Sequence, residues 1–231
     1  MATERVAAGR ASGGSQTLER GLRVLKVLAE HTDGLSVSEL AEAMRTHRAG
    51  IYRLLGPLSD ERLVVRGVDG RFTLGLGLLE LASNVRPHLQ EAATRELRSL
   101  ADELQATTAL TVRDGDEAVV LAVVEPRGTT WHLAYRPGLR HRLSVAAPGL
   151  AILAAGPPIP GERPEIAIVR ERGYACTTGE LLAGATGVAA PVAVSGQETG
   201  ASISAVWIEP RDEAEAGAAV IRSARAIAAA L

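Results

Sequence analysis

Residues 35–58 read LSVSELAEAMRTHRAGIYRLLGPL, and this stretch predicts two helices separated by a tight turn. Ser36 and Glu39 have the spacing of a capping box, in which each residue satisfies a free backbone N–H of the other at a helix start. A short helix is therefore expected over residues 37–44, with a break at residues 45–46. The inner face of the helix that follows is predicted from its apolar spacing: Ile51, Leu54, Leu55 and Leu58.

A short helix, a tight turn and a longer helix form the helix-turn-helix arrangement. Thr46 is the expected cap of the longer helix, and no acidic residue occurs between Arg45 and Ser59. The start of that helix has partial positive charge, which favours phosphate groups. The alternative is a solvated basic face on an ordinary three-helix domain. We predict DNA contacts from the polar residues of this region: Ser36, Arg45, Thr46, His47, Arg48, Tyr52 and Arg53.

The flanking segments predict a winged domain. Upstream, apolar residues at helical spacing indicate an amphipathic helix that ends near residue 31; they are Leu18, Leu22, Leu25 and Ala29. Downstream, two β-rich runs at residues 63–66 and 71–74 flank a Gly/Asp turn and predict a hairpin. Arg66 and Arg71 are expected at the tip of this wing, placed for phosphate or minor-groove contact. The alternative is that both are solvated turn residues.

The length of 231 residues is sufficient for two domains, and a hydrophobic content of 46% is sufficient for each to bury a hydrophobic core. Residues 1–75 contain 11 basic and 9 acidic residues, whereas residues 76–231 contain 14 and 18, so only the first part is net positive. No run of about 20 apolar residues exists, so neither a transmembrane helix nor a membrane partner is expected. The start lacks the apolar core of a signal peptide. The single cysteine, Cys176, cannot form an internal disulfide, which is consistent with a cytoplasmic protein.

Nine motifs of the chain, taken in order, resemble those of the IclR family of bacterial transcriptional regulators. They cover nearly all of the chain: SQTLERGLRVLKVL from Ser15, GLSVSELAEAM from Gly34, IYRLL from Ile51, ERLVVR from Glu61, RFTLGLGLLEL from Arg71, RDGDEAVVLAVVE from Arg113, GYA from Gly173, GVAAPV from Gly187 and SIS from Ser202. The resemblance implies a DNA-binding regulator with a GAF-like effector domain.

Three departures from the family pattern fall in the helix-turn-helix. Arg45 stands where the family usually has glycine in the turn, and Gly50 stands where the recognition helix usually has threonine or serine. Pro57 lies inside the third helix, where proline removes a hydrogen bond to the Arg53 carbonyl at a cost of about 3 kcal/mol. We therefore expect a bend or an early end near Gly56. These changes bear on which DNA sequence is recognised rather than on DNA binding.

The rest of the chain predicts an α+β fold. Residues 76–85 predict a linker helix, Pro87 interrupts it, and a further helix is expected over residues 88–105. Strands, helices and a hairpin around Asp114-Gly115 are expected in the remaining segments: strands at 108–113, 117–124, 131–135, 188–194 and 201–208, and helices at 148–155 and 212–231. The predicted organisation is a flexible arm (1–14), a winged helix-turn-helix domain (15–75), a linker helix (76–86), and an effector-binding and oligomerisation domain (87–231) with a GAF-like antiparallel sheet and flanking helices.

The family resemblance implies an effector pocket between the sheet and the loop at residues 144–148. Trp131 and Tyr135 share strand parity and can present one aromatic face, although aromatics on a sheet are more commonly core. Ser202 and Ser204 match the family's effector-contacting serine pair; the alternative is that neighbouring backbone satisfies both hydroxyls. The predicted contacts are Trp131, Tyr135, Ser144, Ala146, Ala147, Cys176, Thr177, Ser202 and Ser204.

Several family positions in this pocket have lost polar groups. Thr177 stands where the family often has an acidic residue, Gly187 where it often has cysteine, and Ser144 and Leu150 where it usually has histidine and lysine. A pocket with fewer charges and more space suits a mainly apolar or aromatic effector.

The leading functional hypothesis is a repressor that binds double-stranded DNA and responds to a small-molecule effector. The alternatives are a small-molecule sensor that acts through protein contacts without DNA, and an enzyme that uses Cys176 as a nucleophile. No catalytic constellation, metal spacing, Walker loop or dinucleotide fingerprint is present in the sequence, so no enzyme activity, metal or cofactor is expected. A homo-oligomer is expected, because one recognition helix covers too few base pairs. Apolar residues of the linker helix would pair the copies: Leu78, Leu79, Leu81 and Val85.

Overall fold

The computed structural model describes residues 15–127, 135–194 and 197–231. The chain divides into two compact units, one ending at Val85 and the other beginning at Arg86. None of the helices in these described ranges is long and apolar enough to cross a membrane. The predicted flexible arm at residues 1–14 lies outside the described residues.

The first unit is a winged helix-turn-helix, as predicted. Its elements are α1 (Gln16–Ala29), α2 (Val37–Ala43), α3 (Arg48–Asp60), β1 (Val64–Arg66), β2 (Phe72–Leu74) and α4 (Gly77–Ala82). β1 and β2 pair antiparallel, and Leu35 forms an isolated bridge to Phe72 that joins the wing to the segment before α2. The three helices and the wing share one core whose largest fully buried side chains are Leu40, Ile51 and Val24.

The buried face of α1 overlaps the predicted apolar stripe only at Leu25, which packs against the core. Leu18 and Leu22 are 62% and 50% exposed, whereas Val24 and Leu28 are buried. Helical spacing alone allowed both faces, because apolar residues line two sides of this helix, and packing against α3 and the wing selects the side of Val24. The exposed leucines leave an apolar strip on the surface.

The start and interior of α3 also differ from expectation. His47, rather than Thr46, is the N-cap, and its side chain makes no capping hydrogen bond. α3 does not end early near Gly56, one of the two outcomes expected there, since it continues through Pro57 to Asp60. Gly56 gives a physical reason, because a residue without a Cβ relieves much of the clash that a proline imposes on its predecessor.

The second unit is α+β. Its elements are α5 (Pro87–Leu104), β3 (Thr107–Asp114), β4 (Glu117–Val124), β5 (Arg140–Arg142), α6 (Ala146–Ala154), α7 (Pro164–Arg172), β6 (Ala175–Thr178), β7 (Thr186–Val194), β8 (Gln197–Trp207) and α8 (Glu213–Ala229). The sheet order is β5-β4-β3-β8-β7-β6, with every pair antiparallel. The hairpin around Gly115 is confirmed, whereas the sequence analysis missed β5, β6 and α7.

The predicted linker helix is shorter than expected, since α4 ends at Ala82, and α5 begins at Pro87 itself. Proline suits the first helical position, where its missing N–H has no partner to lose. Of the strand predicted at 131–135, residues 131–134 lie outside the described residues, and Tyr135 is not in a strand.

The two faces of the sheet have different cores. Ile203 and Leu110 face α5 and α8 in a large apolar cluster. Residues of opposite parity, among them Ala189 and Ser204, face α6 instead. Alternation along each strand therefore decides which residues can reach a cavity beside α6.

Candidate functional site

The start of α2 is fixed by the predicted capping box. The Ser36 N–H donates to Glu39 Oε2 at 2.7 Å, and the Glu39 N–H donates to Ser36 Oγ at 3.3 Å. The bonds from Ser36, followed by the Arg71 guanidinium, lower the pKa of Glu39 to about 2. The Ser36 hydroxyl thus has a structural role as the cap of α2, and this role explains a serine at this position without a DNA contact.

Arg71 was predicted to project from the wing tip toward DNA, but its guanidinium is hydrogen-bonded within the first unit. Its Nε donates to the Gly34 carbonyl at 3.1 Å and its Nη2 to Glu39 Oε1 at 3.0 Å. Because Arg71 follows the turn and Glu39 lies in α2, these bonds fasten the wing to the helix-turn-helix. Arg66 is exposed, with its guanidinium carbon 5.8 Å from the centre of the Phe72 ring. Arg66 therefore remains the candidate DNA contact of the wing.

The outer face of α3 offers polar and aromatic groups to solvent. Arg48 and Arg53 are exposed, and Tyr52 is 55% exposed. His47 is exposed at the cap, next to Thr46, which is half-buried. This face can approach a duplex without disturbing the buried side of the helix.

A basic groove of about 360 Å³ runs beside this face. Its wall includes four arginines contributed by α1, the turn and α3: Arg20, Arg23, Arg45 and Arg53. No acidic side chain is among its lining residues, so the groove suits a phosphate backbone. The sequence analysis missed Arg20 and Arg23, although their spacing of three residues places them on one side of a helix.

Arg45 adopts a left-handed backbone conformation, with φ of 50°. Glycine takes this conformation without steric cost, whereas an L side chain does so at about 1 kcal/mol or more. The strained turn places the Arg45 side chain at the wall of the basic groove.

The second unit has a cavity of about 30 Å³ beside α6. Four of the predicted effector residues line it: Tyr135, Ala146, Ala147 and Thr177. The sequence analysis predicted a pocket with more space than in the family, whereas a cavity of this volume holds about one water molecule. Residues that the sequence analysis did not select as contacts also line it: Pro148, Glu180, Leu181, Leu182, Ala185, Gly187 and Val206.

Four other predicted effector residues lie elsewhere. Ser202 Oγ donates to the Pro148 carbonyl at 3.0 Å and Ser204 Oγ to the Ala109 carbonyl at 3.4 Å, so backbone satisfies both hydroxyls, as the alternative interpretation had it. Ser144 is exposed and does not line the cavity. Cys176 faces the opposite side of the sheet, where it packs against the α5 and α8 cluster. Trp131, the ninth, lies outside the described residues.

Cys176 is also chemically unsuited to attack a substrate. Burial, followed by the carboxylate of Glu213, raises the pKa of its thiol to about 11. The thiol therefore stays protonated at neutral pH, whereas a nucleophilic cysteine needs a thiolate. Within the described ranges, no group of three histidine, cysteine, aspartate or glutamate side chains could hold a metal ion.

Known proteins with similar sequences are transcription regulators. Residues 17–67 match the family model of the IclR helix-turn-helix domain. The chain is 38% identical over 149 residues to an HTH-type transcriptional regulator of Mycobacterium tuberculosis, covering 64% of this chain and 57% of the relative. It is 30% identical over 148 residues to the HTH-type transcriptional regulator TtgV of Pseudomonas putida, covering 63% and 56%. The alignments thus span little more than half the length of these relatives.

Residues 17–67 are therefore a helix-turn-helix domain of the IclR type. A solved IclR homolog from Microbacterium hydrocarbonoxydans, in complex with 4-hydroxybenzoate, matches 94% of this chain and 99% of its own with a TM-score of 0.80 and 24% identity. This likeness establishes that the fold of IclR regulators extends through both units. The relatives are regulators rather than enzymes, which agrees with the chemistry of Cys176.

Proposed function

We propose that this protein is a transcription regulator that binds double-stranded DNA through its first unit, with α3 in the major groove. The observation that supports this most strongly is the basic groove beside α3, in which arginines from three segments converge. Phosphate contacts position a protein on a duplex, and base contacts from the recognition helix select the sequence. Arg20 and Arg23 suit the first role, and Arg48 suits the second.

The alternative, a sensor that acts through protein contacts, is favoured less by these residues. A protein interface concentrates apolar side chains at its centre, whereas the exposed face of α3 includes the charged side chains of Arg48 and Arg53. We propose repression as the mode of regulation and the cytoplasm, where the chromosome lies, as the place of action.

We further propose that the second unit binds a small, mainly apolar or aromatic effector in the cavity beside α6. Most of the side chains around it are apolar. A homolog of the same fold has been solved with 4-hydroxybenzoate, a small aromatic compound, and this supports an effector with one aromatic ring. The cavity must widen to admit such a molecule. Leu181 and Leu182 form part of its wall, in a segment between Gly179 and Gly184, two glycines at positive φ. Motion of this segment would open the cavity without breaking a strand.

Replacing Arg48 or Arg53 by alanine should weaken DNA binding by about 1–3 kcal/mol without unfolding the first unit. Both side chains are exposed, so their loss removes no core. Duplexes recovered from genomic fragments by pull-down with the protein would provide the probe, and fluorescence anisotropy at several salt concentrations would provide the affinities. Loss of a phosphate contact should also lower the salt dependence by about one ion.

Arg62→Ala is the matched control for this experiment. Arg62 is an exposed arginine of the same unit that faces Glu80 at 3.6 Å and does not line the basic groove. Its replacement should leave affinity and salt dependence unchanged. If Arg48→Ala and Arg53→Ala behave like this control, α3 does not bind the DNA; if the unmodified protein recovers no fragment at all, the DNA-binding proposal is wrong.

We propose a homodimer as the minimal assembly, with α4 and the residues after it supplying apolar surface. Leu79 and Leu81 are 66% and 64% exposed, and Val85 is 50% exposed. Leu79→Glu combined with Leu81→Glu should shift the mass measured by sedimentation toward the monomer. Val68→Glu, at the fully exposed tip of the wing, should not. A monomeric mass of the unmodified protein at micromolar concentration would contradict this proposal.

A further inference from the structure

The first backbone N–H groups of α6 are occupied by side chains of the chain itself. The Ala146 N–H donates to Glu180 Oε2 at 2.8 Å, and the Ala147 N–H donates to Thr177 Oγ1 at 2.9 Å. The start of a helix attracts anions, because its free N–H groups point outward and the helix dipole is positive there. Glu180 therefore sits where the carboxylate of a small ligand would otherwise bind.

Glu180 is held in this place by Arg163. Arg163 Nη1 lies 2.9 Å from Glu180 Oε2, and Nη2 lies 3.0 Å from Oε1, a bidentate pair. Arg163 also donates to the Ser144 carbonyl at 3.0 Å and pairs with Glu165 at 3.0 Å. The Arg163 guanidinium and, to a smaller extent, the Ala146 N–H lower the pKa of Glu180, so its carboxylate is charged at neutral pH. An ionised carboxylate paired with Arg163 therefore lies at the cavity wall.

A second observation points to a ligand. Tyr135 lines the same cavity and is 5% exposed, and its hydroxyl has no hydrogen-bond partner among the described residues. The completely buried Thr111 hydroxyl lies near the Tyr135 hydroxyl but does not form a hydrogen bond of good geometry with it. Burial raises the pKa of Tyr135 to about 12, with the Thr111 hydroxyl opposing the rise, so the phenol keeps its proton. Unpaired buried hydroxyls are costly, and a polar group of a ligand would satisfy them.

We propose that Glu180 is a built-in occupant of the anion-binding end of α6, and that the cavity consequently takes an uncharged ligand that hydrogen-bonds to the Tyr135 hydroxyl. A ligand carboxylate would have to displace Glu180 from the Ala146 N–H and from Arg163, or lie beside a second carboxylate that repels it. The ligand class is therefore a neutral aromatic or apolar compound with one or two polar groups, such as an alcohol or amide. This inference rests on the proposed effector-binding function of the second unit.

Chemical rescue of Glu180→Ala in the full chain tests the first part. Removing the side chain should open a carboxylate site at α6, so that free acetate raises the melting temperature of the variant by about 3 °C or more relative to chloride at equal ionic strength. The unmodified protein should melt at the same temperature in both salts. Glu165→Ala is the matched control, because Glu165 pairs with the same arginine, and none of its hydrogen bonds is to α6. A Glu180→Ala variant that responds to acetate no more than this control overturns the proposal.

Glu180→Gln keeps the test decisive if the alanine variant does not fold. Glutamine retains an acceptor for the Ala146 N–H and removes only the charge. Benzoate and its neutral isostere benzamide are the probes, with dissociation constants measured by calorimetry. The variant should gain benzoate affinity at least tenfold over the unmodified protein while its affinity for benzamide changes little. Absence of a benzoate gain overturns the proposal.

The experiments distinguish failure of the effector-binding proposal from failure of the proposed role of Glu180. If acetate rescues Glu180→Ala but no neutral compound alters DNA binding, Glu180 keeps its assigned role and the effector-binding function is wrong. If a carboxylate such as benzoate releases the unmodified protein from DNA at least as well as benzamide, effector binding is supported and the exclusion of anions by Glu180 is wrong.

Discussion

Replacing Ile203 by alanine should destabilise the second unit by about 2–5 kcal/mol. Ile203 is completely buried in β8, at the centre of the sheet, where it is paired with Leu110 of β3 on one side and Ala190 of β7 on the other. Three missing carbons there leave a cavity between the sheet and the α5 and α8 layer, and hydrogen-bonded strands on both sides prevent its collapse. Urea unfolding followed by tryptophan fluorescence measures this unit alone, because both tryptophans, Trp131 and Trp207, lie within it.

Ile208→Ala is the matched control, since Ile208 follows β8 directly and is 54% exposed. The same atoms are removed, yet the change should stay within about 0.5 kcal/mol. Equal shifts of the urea midpoint in the two variants would mean that burial at Ile203 does not determine the stability of the sheet.

Local patterns were sufficient to predict the parts of the fold that local interactions determine. The capping box at Ser36 and Glu39 sets the start of α2 with contacts only three residues apart, and the Asp114-Gly115 turn sets the β3–β4 hairpin. The exposed face of α1 was not predictable in this way. Leu22 and Val24 both lie on plausible apolar faces, and only the position of α3 and the wing decides between them.

The residues of the candidate sites also differ in whether local sequence or distant partners determine their environment. The exposure of Arg48 and Arg53 could be predicted from the sequence because they lie off the apolar stripe of their own helix. The contacts of Arg71 and Glu180 could not, since their partners are distant in the chain: Glu39 is 32 residues from Arg71, and Ala146 is 34 residues from Glu180. No periodicity records such pairings, so an exposed wing arginine and a structural one look identical in sequence.

Gly149 was not among the residues selected from the sequence. The structure gives it a packing role. An added Cβ at Gly149 would lie 2.2 Å from the Leu143 carbonyl oxygen and 2.9 Å from its Cα, because the fourth residue of α6 packs directly on the segment that leads into the helix. Leu143 is itself buried, and its N–H is bonded to the Asp116 carbonyl at 3.1 Å, so this segment has little freedom to withdraw.

Gly149→Ala should therefore destabilise the second unit by about 3 kcal/mol, at the upper end of the usual cost of overpacking, because a clash with backbone cannot be relieved by a change of rotamer. Gly187→Ala is the matched control in the same unit. An added Cβ there meets Val206 Cγ2 at 3.7 Å and the Ala205 carbonyl oxygen at 3.9 Å, both ordinary van der Waals contacts. Since alanine restricts the unfolded chain more than glycine, that variant should be unchanged or more stable by up to about 1 kcal/mol. Tryptophan-monitored urea unfolding of the full chain should thus move the two midpoints apart, and a Gly149→Ala midpoint at or above that of Gly187→Ala would show that α6 does not pack on Leu143 this closely in solution.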